Sequence, residues 1–347
     1  TMDDSGSMNN NYLPDYTGEG LTNIYYCRDN NDCAPSTSRW DYPPIASSNF
    51  NKIYYDPAET YGVAKRADNT NLAYEKAAVG TWTQVLSDPF LNYPSAITSS
   101  MIKLAATTAL STSSSAGFPD SIFCRITTTT LADYQTADTD GSVCRRNGRA
   151  YSAATVAGIT TPAITAGYNY PNNSNPPVTC SGSEQCKFTN RYTVYGYPFY
   201  YTISQVQFCS AKDANGWGTT PCSSRWDATT YKYVRYGSGA LTFDPQAFTR
   251  VDIKPVSAGG PLLYPSGRTY TEELDNFAKW YAFSRLRHLA MKTGGGIAFA
   301  ALDKNSRVGF NTLNSYTGKF LNIKDFTTAN KATWFTNFYT VSPSGIT

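Results

Sequence analysis

Histidine and charged side chains are scarce in this chain. Of its 347 residues, 16% are Asp, Glu, Lys or Arg, and His288 is the one histidine. Hydrolases that activate a serine or cysteine usually need a base such as histidine beside the nucleophile, and no nucleophile motif lies near His288. We therefore expect a packed or surface histidine, and a protein that is not an enzyme.

Long runs of one kind of side chain are also missing. The sequence has no stretch of about 18 apolar residues, so we expect no membrane-spanning helix. Lys and Arg do not form a run, and the formal net charge is only +3. A phosphate backbone would find no tract of positive charge here, so a nucleic acid partner is not expected.

The eight cysteines are confined to the first two thirds of the chain. No Cys-x-x-Cys pair occurs and His288 is remote from every cysteine, so the spacing excludes a zinc site. An even, clustered set favours disulfides and an oxidising compartment. Because short polar segments separate sequence neighbours, we predict four local bonds: Cys27 with Cys33, Cys124 with Cys144, Cys180 with Cys186, and Cys209 with Cys222.

Composition divides the chain into three parts. Residues 1–11 resemble the end of a strand and a loop, and we expect the sequence to be a piece of something longer. Residues 12–265 hold most of the 27 tyrosines, in short aromatic and β-branched runs between Pro, Gly and Asn. Such runs are typical of many short strands, the clearest being Tyr192–Phe208 and Tyr231–Tyr236. This part is predicted to be a β-rich, disulfide-bonded insertion.

The third part, residues 266–347, has helical periodicity. Thr269–Glu272 offers a capping box, and apolar residues recur at helical spacing from Leu274 to Ala290. Three glycines, residues 294–296, should weaken or end this helix at about 1 kcal/mol each. Arg307–Leu313 is then predicted as a buried strand and Thr328–Tyr339 as a second helix. Alternating strands and helices predict an α/β fold with a doubly wound, mostly parallel sheet.

The segment that carries chemistry is Asp3-x-Ser5-x-Ser7. One carboxylate and two hydroxyls in a tight loop are the oxygens that a hard divalent cation prefers. Mg²⁺ suits best, with Mn²⁺ or Ca²⁺ as alternatives, and the loop would lie at the carboxyl end of its strand, where open α/β sheets bind ligands. A second loop is expected after the second helix, at Ser342–Thr347. The other interpretation of the bare motif is an exposed turn.

Several separated segments, taken in their order along the chain, carry a family resemblance. They are Asp3–Met8, Tyr54–Tyr61, Phe208–Tyr236, Asn276–Tyr281 with Arg285–Met291, and Arg307–Phe310. Together they resemble the PilC/PilY proteins of bacterial type IV pili, whose amino-terminal part is similar to an interrupted von Willebrand factor A domain. The resemblance covers about a third of the chain and runs from end to end.

The resemblance implies a fold and a cation site. The fold would be von Willebrand factor A-like, incomplete in this chain, and split by the large disulfide-bonded insertion. The cation ligands would be Asp3, Ser5, Ser7 and Thr347. Thr347 matches the threonine of the family's second loop, with Ile346 in place of a glycine. A third metal loop and a calcium-binding propeller would lie beyond Thr347.

The resemblance also implies a function. It suggests a non-enzymatic adhesin at the tip of a type IV pilus, exported through the periplasm and held by minor pilins, that primes pilus assembly and serves attachment, motility and force sensing. A surface ligand would reach the cation through an acidic group. The alternative is a secreted von Willebrand factor A adhesin unconnected to pili, and the third is a hydrolase that uses a polar cluster of the insertion.

Overall fold

A computed structural model describes most of the two ends of the chain and scattered segments between them. The described residues are 1–11, 25–27, 33–35, 46–49, 51–75, 84–95, 101–106, 110–111, 115, 117–128, 143–146, 149–152, 186–203, 248–314 and 318–343. The strand predicted at Tyr231–Tyr236 lies outside these ranges.

Three α-helices and several short strands are formed by these residues. The helices are α1 (Tyr270–Phe283), α2 (Arg287–Ala300) and α3 (Thr328–Tyr339). The strands are β1 (Tyr25–Cys27), β2 (Cys33–Pro35), β3 (Val85–Leu86), β4 (Met101–Ile102), β5 (Leu110–Ser111), β6 (Phe118–Thr128), β7 (Val143–Arg146), β8 (Arg149–Ser152), β9 (Cys186–Gly196), β10 (Phe199–Ile203), β11 (Phe248–Asp252), β12 (Arg307–Phe310) and β13 (Leu321–Asp325). Within the described ranges, no helix has the length and apolar character needed to cross a membrane.

The chain divides into two compact units. The first, which we call the helical unit, contains Thr1–Pro14, Asn51–Ala105 and Ile253–Thr347. The second, the strand unit, contains Asp15–Phe50 and Ala106–Asp252. These boundaries differ from those expected from composition, since residues 51–105 were expected in the insertion and lie in the helical unit instead.

Aromatic packing explains why residues 51–105 belong to the helical unit. The indole of Trp280, on α1, donates a hydrogen bond to the carbonyl oxygen of Ile53 at 2.8 Å. Its ring lies 4.8 Å from that of Tyr54, and the ring of Tyr55 lies 5.0 Å from that of Phe277. All of these side chains are buried. Burying so much aromatic surface is a large source of stability, so this tyrosine-rich segment forms part of the core around α1.

Polar contacts fix the same segment on α1. The side chain of Asn276 accepts a hydrogen bond from the backbone nitrogen of Tyr61 at 2.9 Å and donates to the carbonyl oxygen of Glu59 at 2.9 Å. Arg268, just before the helix, donates to the carbonyl oxygens of Pro57 and Glu59, each at 2.8 Å. Side chains near the start of α1 thereby satisfy backbone groups of the loop 56–61.

The long helix predicted from residue 271 onward is interrupted. The start is as predicted, since the carboxylate of Glu272 accepts from the backbone nitrogen of Thr269 at 2.9 Å. However, α1 ends at Phe283 and α2 begins four residues later, at Arg287. Two carbonyl groups at the end of α1 that have lost their helical partners accept hydrogen bonds from side chains. Arg285 donates to the oxygen of Tyr281 at 2.6 Å, and the Thr293 hydroxyl donates to the oxygen of Phe283 at 2.7 Å. These side chains, which follow α1 in the chain, therefore cap the break.

The glycines expected to weaken this helix lie inside α2, which continues to Ala300. Two of them permit close approach of α3. A Cβ atom added to Gly295 would lie 2.5 Å from Cζ of Phe338, and one added to Gly296 would overlap the hydroxyl of Tyr339. The cost of glycine within a helix is thus offset by packing between helices.

A short sheet positions the amino terminus. Met2 forms a parallel bridge with Thr312: the backbone nitrogen of Met2 donates to the oxygen of Asn311 at 2.9 Å, and that of Leu313 donates to the oxygen of Met2 at 3.1 Å. Strand β12, which ends two residues before Thr312, pairs with β13 in antiparallel fashion. A buried strand was predicted over Arg307–Leu313, whereas β12 ends at Phe310 and Leu313 is exposed. The antiparallel neighbour β13 was not predicted. Helix α3 spans Thr328–Tyr339, which confirms that prediction.

The strand unit is built on antiparallel pairs. Its largest sheet has the order β5-β9-β6-β7-β8, and β1 pairs with β2 and β10 with β11. Arg250 of β11 lies over the ring of Phe199, with its Cζ 3.5 Å from the ring centre. The same guanidinium forms ion pairs with the carboxylates of Asp120 at 2.9 Å and Asp252 at 2.7 Å. The described residues of this unit form no α-helix.

Candidate functional site

The predicted cation site follows directly from the Met2 bridge. We call residues Asp3–Ser7 the cation loop. It follows Met2, whose bridge partner Thr312 lies two residues after the end of β12. Asp4 is buried and its carboxylate accepts a hydrogen bond from the backbone nitrogen of Asn314 at 2.7 Å. That contact ties the cation loop to the segment following β12.

Two of the three predicted ligands of the cation loop contact each other through their hydroxyls, and the third contacts the backbone of Ser5. The carboxylate of Asp3 accepts a hydrogen bond from the backbone nitrogen of Ser5 at 2.9 Å. The hydroxyl oxygens of Ser5 and Ser7 lie 2.9 Å apart. A 3₁₀ turn, Gly6–Asn9, holds this arrangement. The two hydroxyls therefore meet in this turn, and the joint binding of a cation by Asp3, Ser5 and Ser7 stays a prediction.

The donor set of the cation loop is of the kind that a hard cation binds. Mg²⁺ prefers carboxylate, hydroxyl and water oxygens in octahedral geometry. The hydroxyls of Ser5 and Ser7 are hydrogen-bonded to each other at 2.9 Å, which is the ordinary length of such a bond. The chemistry of these oxygens therefore fits a hard divalent cation.

Two further oxygen atoms near this edge were not found from the sequence. Asn311 Oδ1 and Thr312 Oγ1 are buried and have no hydrogen-bond partner within the described part of the chain. Buried polar atoms without partners cost stability, and they often mark a site for an ion or water. The signal that could have revealed them is the change from the apolar Val308-Gly309-Phe310 to polar side chains at the end of the strand.

The fourth predicted ligand, Thr347, lies outside the described residues, as does most of the second loop. Among the side chains that the structure describes, no three His, Cys, Asp or Glu residues converge on one point. The candidate site is thus of a different type, with one carboxylate and two hydroxyls.

The single histidine is a packed residue, as expected. His288 is 5% exposed at the start of α2. Its Nδ1 lies 3.1 Å from the carbonyl oxygen of Met8, and its Nε2 lies 4.0 Å from the carboxylate of Asp88. Burial, together with the positive charge of Lys292, lowers the pKa of His288 to about 4. The side chain therefore borders the cation loop, a contact that the sequence alone did not suggest.

Strand register bears on two of the four predicted disulfides. In the antiparallel pair β1–β2, Cys27 stands directly opposite Cys33. In the pair β6–β7, Cys124 stands opposite Cys144. Directly opposed positions of an antiparallel pair have Cα atoms about 4.5–5.5 Å apart, within the range that disulfides bridge. The bonds themselves stay predictions, and Cys180, Cys209 and Cys222 lie outside the described residues.

Comparisons with known proteins gave partial similarity to one protein. No family model matches the chain, and no solved structure matches it. A segment of 98 residues, 28% of the chain, is 31% identical to the type IV pilus biogenesis factor PilY1 of Pseudomonas aeruginosa strain PAK, and covers 7% of that protein. A segment of 44 residues, 13% of the chain, is 48% identical to PilY1 of strain PAO1, and covers 4% of it. Parts of this chain are thus similar to PilY1, and this partial similarity points to a function related to type IV pili.

Proposed function

We propose that the chain is part of a type IV pilus tip adhesin that also acts in pilus assembly. Its amino-terminal region adopts a von Willebrand factor A-like fold, and its cation loop contributes to a site for Mg²⁺. The observation that carries this proposal is the partial similarity to PilY1, a pilus biogenesis factor. The protein acts by binding rather than by catalysis, outside the cell at the end of the filament.

The geometry of the helical unit supports the fold part of the proposal. A parallel bridge at Met2 is followed at once by the cation loop, and β12 ends beside it. Helices α1 and α2 precede β12, and α3 follows β13. The bridge between Met2 and Thr312 is parallel, as an α/β sheet needs, whereas β12 and β13 pair in antiparallel fashion.

The chemistry of the cation loop supports the site. Asp3, Ser5 and Ser7 would hold the cation, together with Thr347 of the second loop. Bound Mg²⁺ supplies a Lewis-acidic position at which an acidic group of a surface ligand can bind. The carboxylate of Asp3 offsets part of the cost of dehydrating the cation, and the two hydroxyls fix its position without adding charge. An acidic partner group then meets a net positive site, which favours binding.

Minor pilins are the proposed partners at the pilus tip, and the other partner is a host or abiotic surface. Their binding would place the cation site at the far end of the filament, where pulling forces act. The matched segments span 7% and 4% of the PilY1 proteins, so adhesion, priming and force sensing by this chain are proposals.

Association with pili can be tested on sheared filaments. Pili are purified from the source bacterium, and the chain is detected by immunoblotting with an antibody against it. The proposal predicts that the protein copurifies with filaments and that its deletion reduces piliation and twitching. Detection of the protein only in the culture supernatant, with normal piliation in the deletion strain, would favour a secreted adhesin unconnected to pili.

A complementation experiment separates the pilus role from the cation role. Asp3→Ala should restore pilus association but not surface attachment, because it removes one carboxylate of the cation loop and leaves the residues of the strand unit unchanged. Asp303→Ala serves as a matched control: Asp303 accepts a hydrogen bond from the backbone nitrogen of Asn305 at 3.0 Å, the same local contact that Asp3 makes with Ser5. Equal attachment by both variants would count against a role for the cation site.

A further inference from the structure

The chain that follows Ser7 is held by the first turn of α2. The carbonyl oxygen of Met8 lies 3.1 Å from Nδ1 of His288. Two residues later, the carbonyl oxygen of Asn10 accepts a hydrogen bond from the backbone nitrogen of Arg287 at 3.2 Å. The cation loop is therefore attached to a helix almost 280 residues away in sequence, and one of the two contacts is made by a side chain.

Further contacts complete the support. The carbonyl oxygen of Asn11 accepts from the side chain of Asn51 at 2.8 Å. Within the turn, the backbone nitrogen of Met8 donates to the oxygen of Ser5 at 3.1 Å, and that of Asn10 donates to the oxygen of Ser7 at 3.0 Å. The oxygen of Met8 takes no part in these two bonds of the turn, and its partner is His288 of α2.

The protonation of His288 follows from this contact. A carbonyl oxygen only accepts hydrogen bonds, so Nδ1 must carry the proton that Met8 receives. The ring is buried, with Asp88 beside Nε2 and Lys292 one helical turn further on. Burial holds the pKa well below neutral, so the neutral ring with its proton on Nδ1 is the form present at pH 7. A fixed tautomer gives the hydrogen bond a defined direction.

We propose that His288 is a positioning residue for the cation loop: through the Met8 carbonyl it fixes the backbone next to Ser7, and so the place of the Ser7 hydroxyl. This role rests on the proposed cation site. His288 does not touch the cation; it acts through the Met8 carbonyl, as the outer partners of metal ligands commonly do. Movement of α2 would shift Met8 and hence Ser7, so the affinity for the cation is coupled to the position of this helix.

The test replaces His288 in the full chain. His288→Leu introduces an apolar side chain of similar size and removes the donor. His288→Asn retains an N–H that can donate to a carbonyl oxygen. Thr293→Val is the matched control, because it removes a buried hydrogen bond of α2, to the oxygen of Phe283 at 2.7 Å, without contact to the cation loop. Circular dichroism and urea titration verify that each variant is folded.

Two readouts are taken. Isothermal titration with MgCl₂ measures affinity, and amide hydrogen exchange of residues 5–10 in cation-free protein measures how firmly the cation loop is held. We expect His288→Leu to weaken Mg²⁺ binding about tenfold and to speed exchange, His288→Asn to recover part of both, and Thr293→Val to change neither.

The two proposals fail in different ways. If the wild-type chain binds Mg²⁺ and His288→Leu matches it in affinity and in exchange, the positioning role is wrong while the cation site stands. A wild-type chain that binds no Mg²⁺ would overturn the cation site and the positioning role with it. An equal loss in Thr293→Val would reduce the effect of His288 to general destabilisation of α2 and would also overturn the positioning role.

Discussion

The indole nitrogen of Trp280 donates a hydrogen bond to the carbonyl oxygen of Ile53, 227 residues earlier in the chain, at 2.8 Å. The bond is buried, and the ring of Tyr54 packs beside the indole. It therefore connects the second segment of the helical unit, Asn51–Ala105, with helix α1 of the third segment, Ile253–Thr347. The core of this unit is assembled from pieces that are far apart in sequence.

Trp280→Phe tests this bond. Phenylalanine keeps the aromatic packing but leaves the carbonyl of Ile53 buried without a partner, which should cost about 1–3 kcal/mol of unfolding free energy. The matched variant is Trp334→Phe, whose indole donates to the oxygen of Gly309 at 3.1 Å in a partly exposed setting. Urea denaturation should show the smaller loss for Trp334→Phe. Equal losses would mean that burial of the bond is not what matters.

The glycines of α2 give opposite predictions at two neighbouring positions. Gly294 is exposed and has open space around its Cα, so Gly294→Ala should stabilise the protein by about 1 kcal/mol through helix propensity. Gly296→Ala should destabilise it, because the new methyl would overlap Tyr339, whose hydroxyl is held by the oxygen of Lys65 at 2.5 Å. Thermal unfolding of both variants decides. Stabilisation by Gly296→Ala would show that α3 is free to move away.

Lys292 predicts a pH dependence of stability. The side chain is 2% exposed on α2, with its ammonium 5.5 Å from the ring centre of Phe90. Burial lowers its pKa to about 8 from the ordinary 10.5; the charge of Asp88 opposes the shift and that of Lys319 adds to it. Between these two values the unfolded chain binds more protons at this residue than the folded one. Stability from this group therefore rises with pH across that window.

Lys292→Met isolates this effect. The unfolding free energy of the wild type, relative to the variant, should increase by up to about 3 kcal/mol as the pH rises through this window, and should be constant below it. Urea denaturation of both proteins at matched pH values measures the difference. Two parallel stability curves would show that Lys292 keeps its ordinary pKa in the folded protein.

The disulfides form a prediction for the strand unit. Non-reducing peptide mapping should link Cys27 to Cys33 and Cys124 to Cys144, since strand register places each pair opposite one another. The bonds Cys180–Cys186 and Cys209–Cys222 are predicted from sequence proximity alone. A link between any of the first four cysteines and a distant partner would contradict the register as well as the local pairing.

The sequence predicted the parts of the fold that depend on local pattern. The capping box at Thr269 and the bounds of α3 were predicted from residue spacing, and the structure confirms both. The break after Phe283 was not predicted, because the carbonyl groups there are capped by the side chains of Arg285 and Thr293, which periodicity does not detect. The packing of Tyr54 against α1 was also missed, because the composition of its segment matches that of the insertion.

The candidate site was predictable to the same extent. Asp3, Ser5 and Ser7 lie within five residues, so their proximity follows from the sequence. The position of Thr312 and the contact of His288 with Met8 could not be predicted, because they depend on the parallel bridge at Met2 and on the packing of α2. Local spacing specifies the first ligands of such a site, whereas tertiary structure supplies their support.

The most direct test of the central claim is isothermal titration of MgCl₂ into the full chain, comparing wild type, Asp3→Ala and the control Asp303→Ala. The cation loop has two carboxylates, and that of Asp4 is buried and accepts from the backbone nitrogen of Asn314. Asp3 is the proposed ligand, so its removal should abolish binding while the control, which loses an equivalent local contact, binds as the wild type does. We predict a single site in the wild type and none in Asp3→Ala. Equal binding by all three proteins would contradict the account and reduce the cation loop to a surface turn.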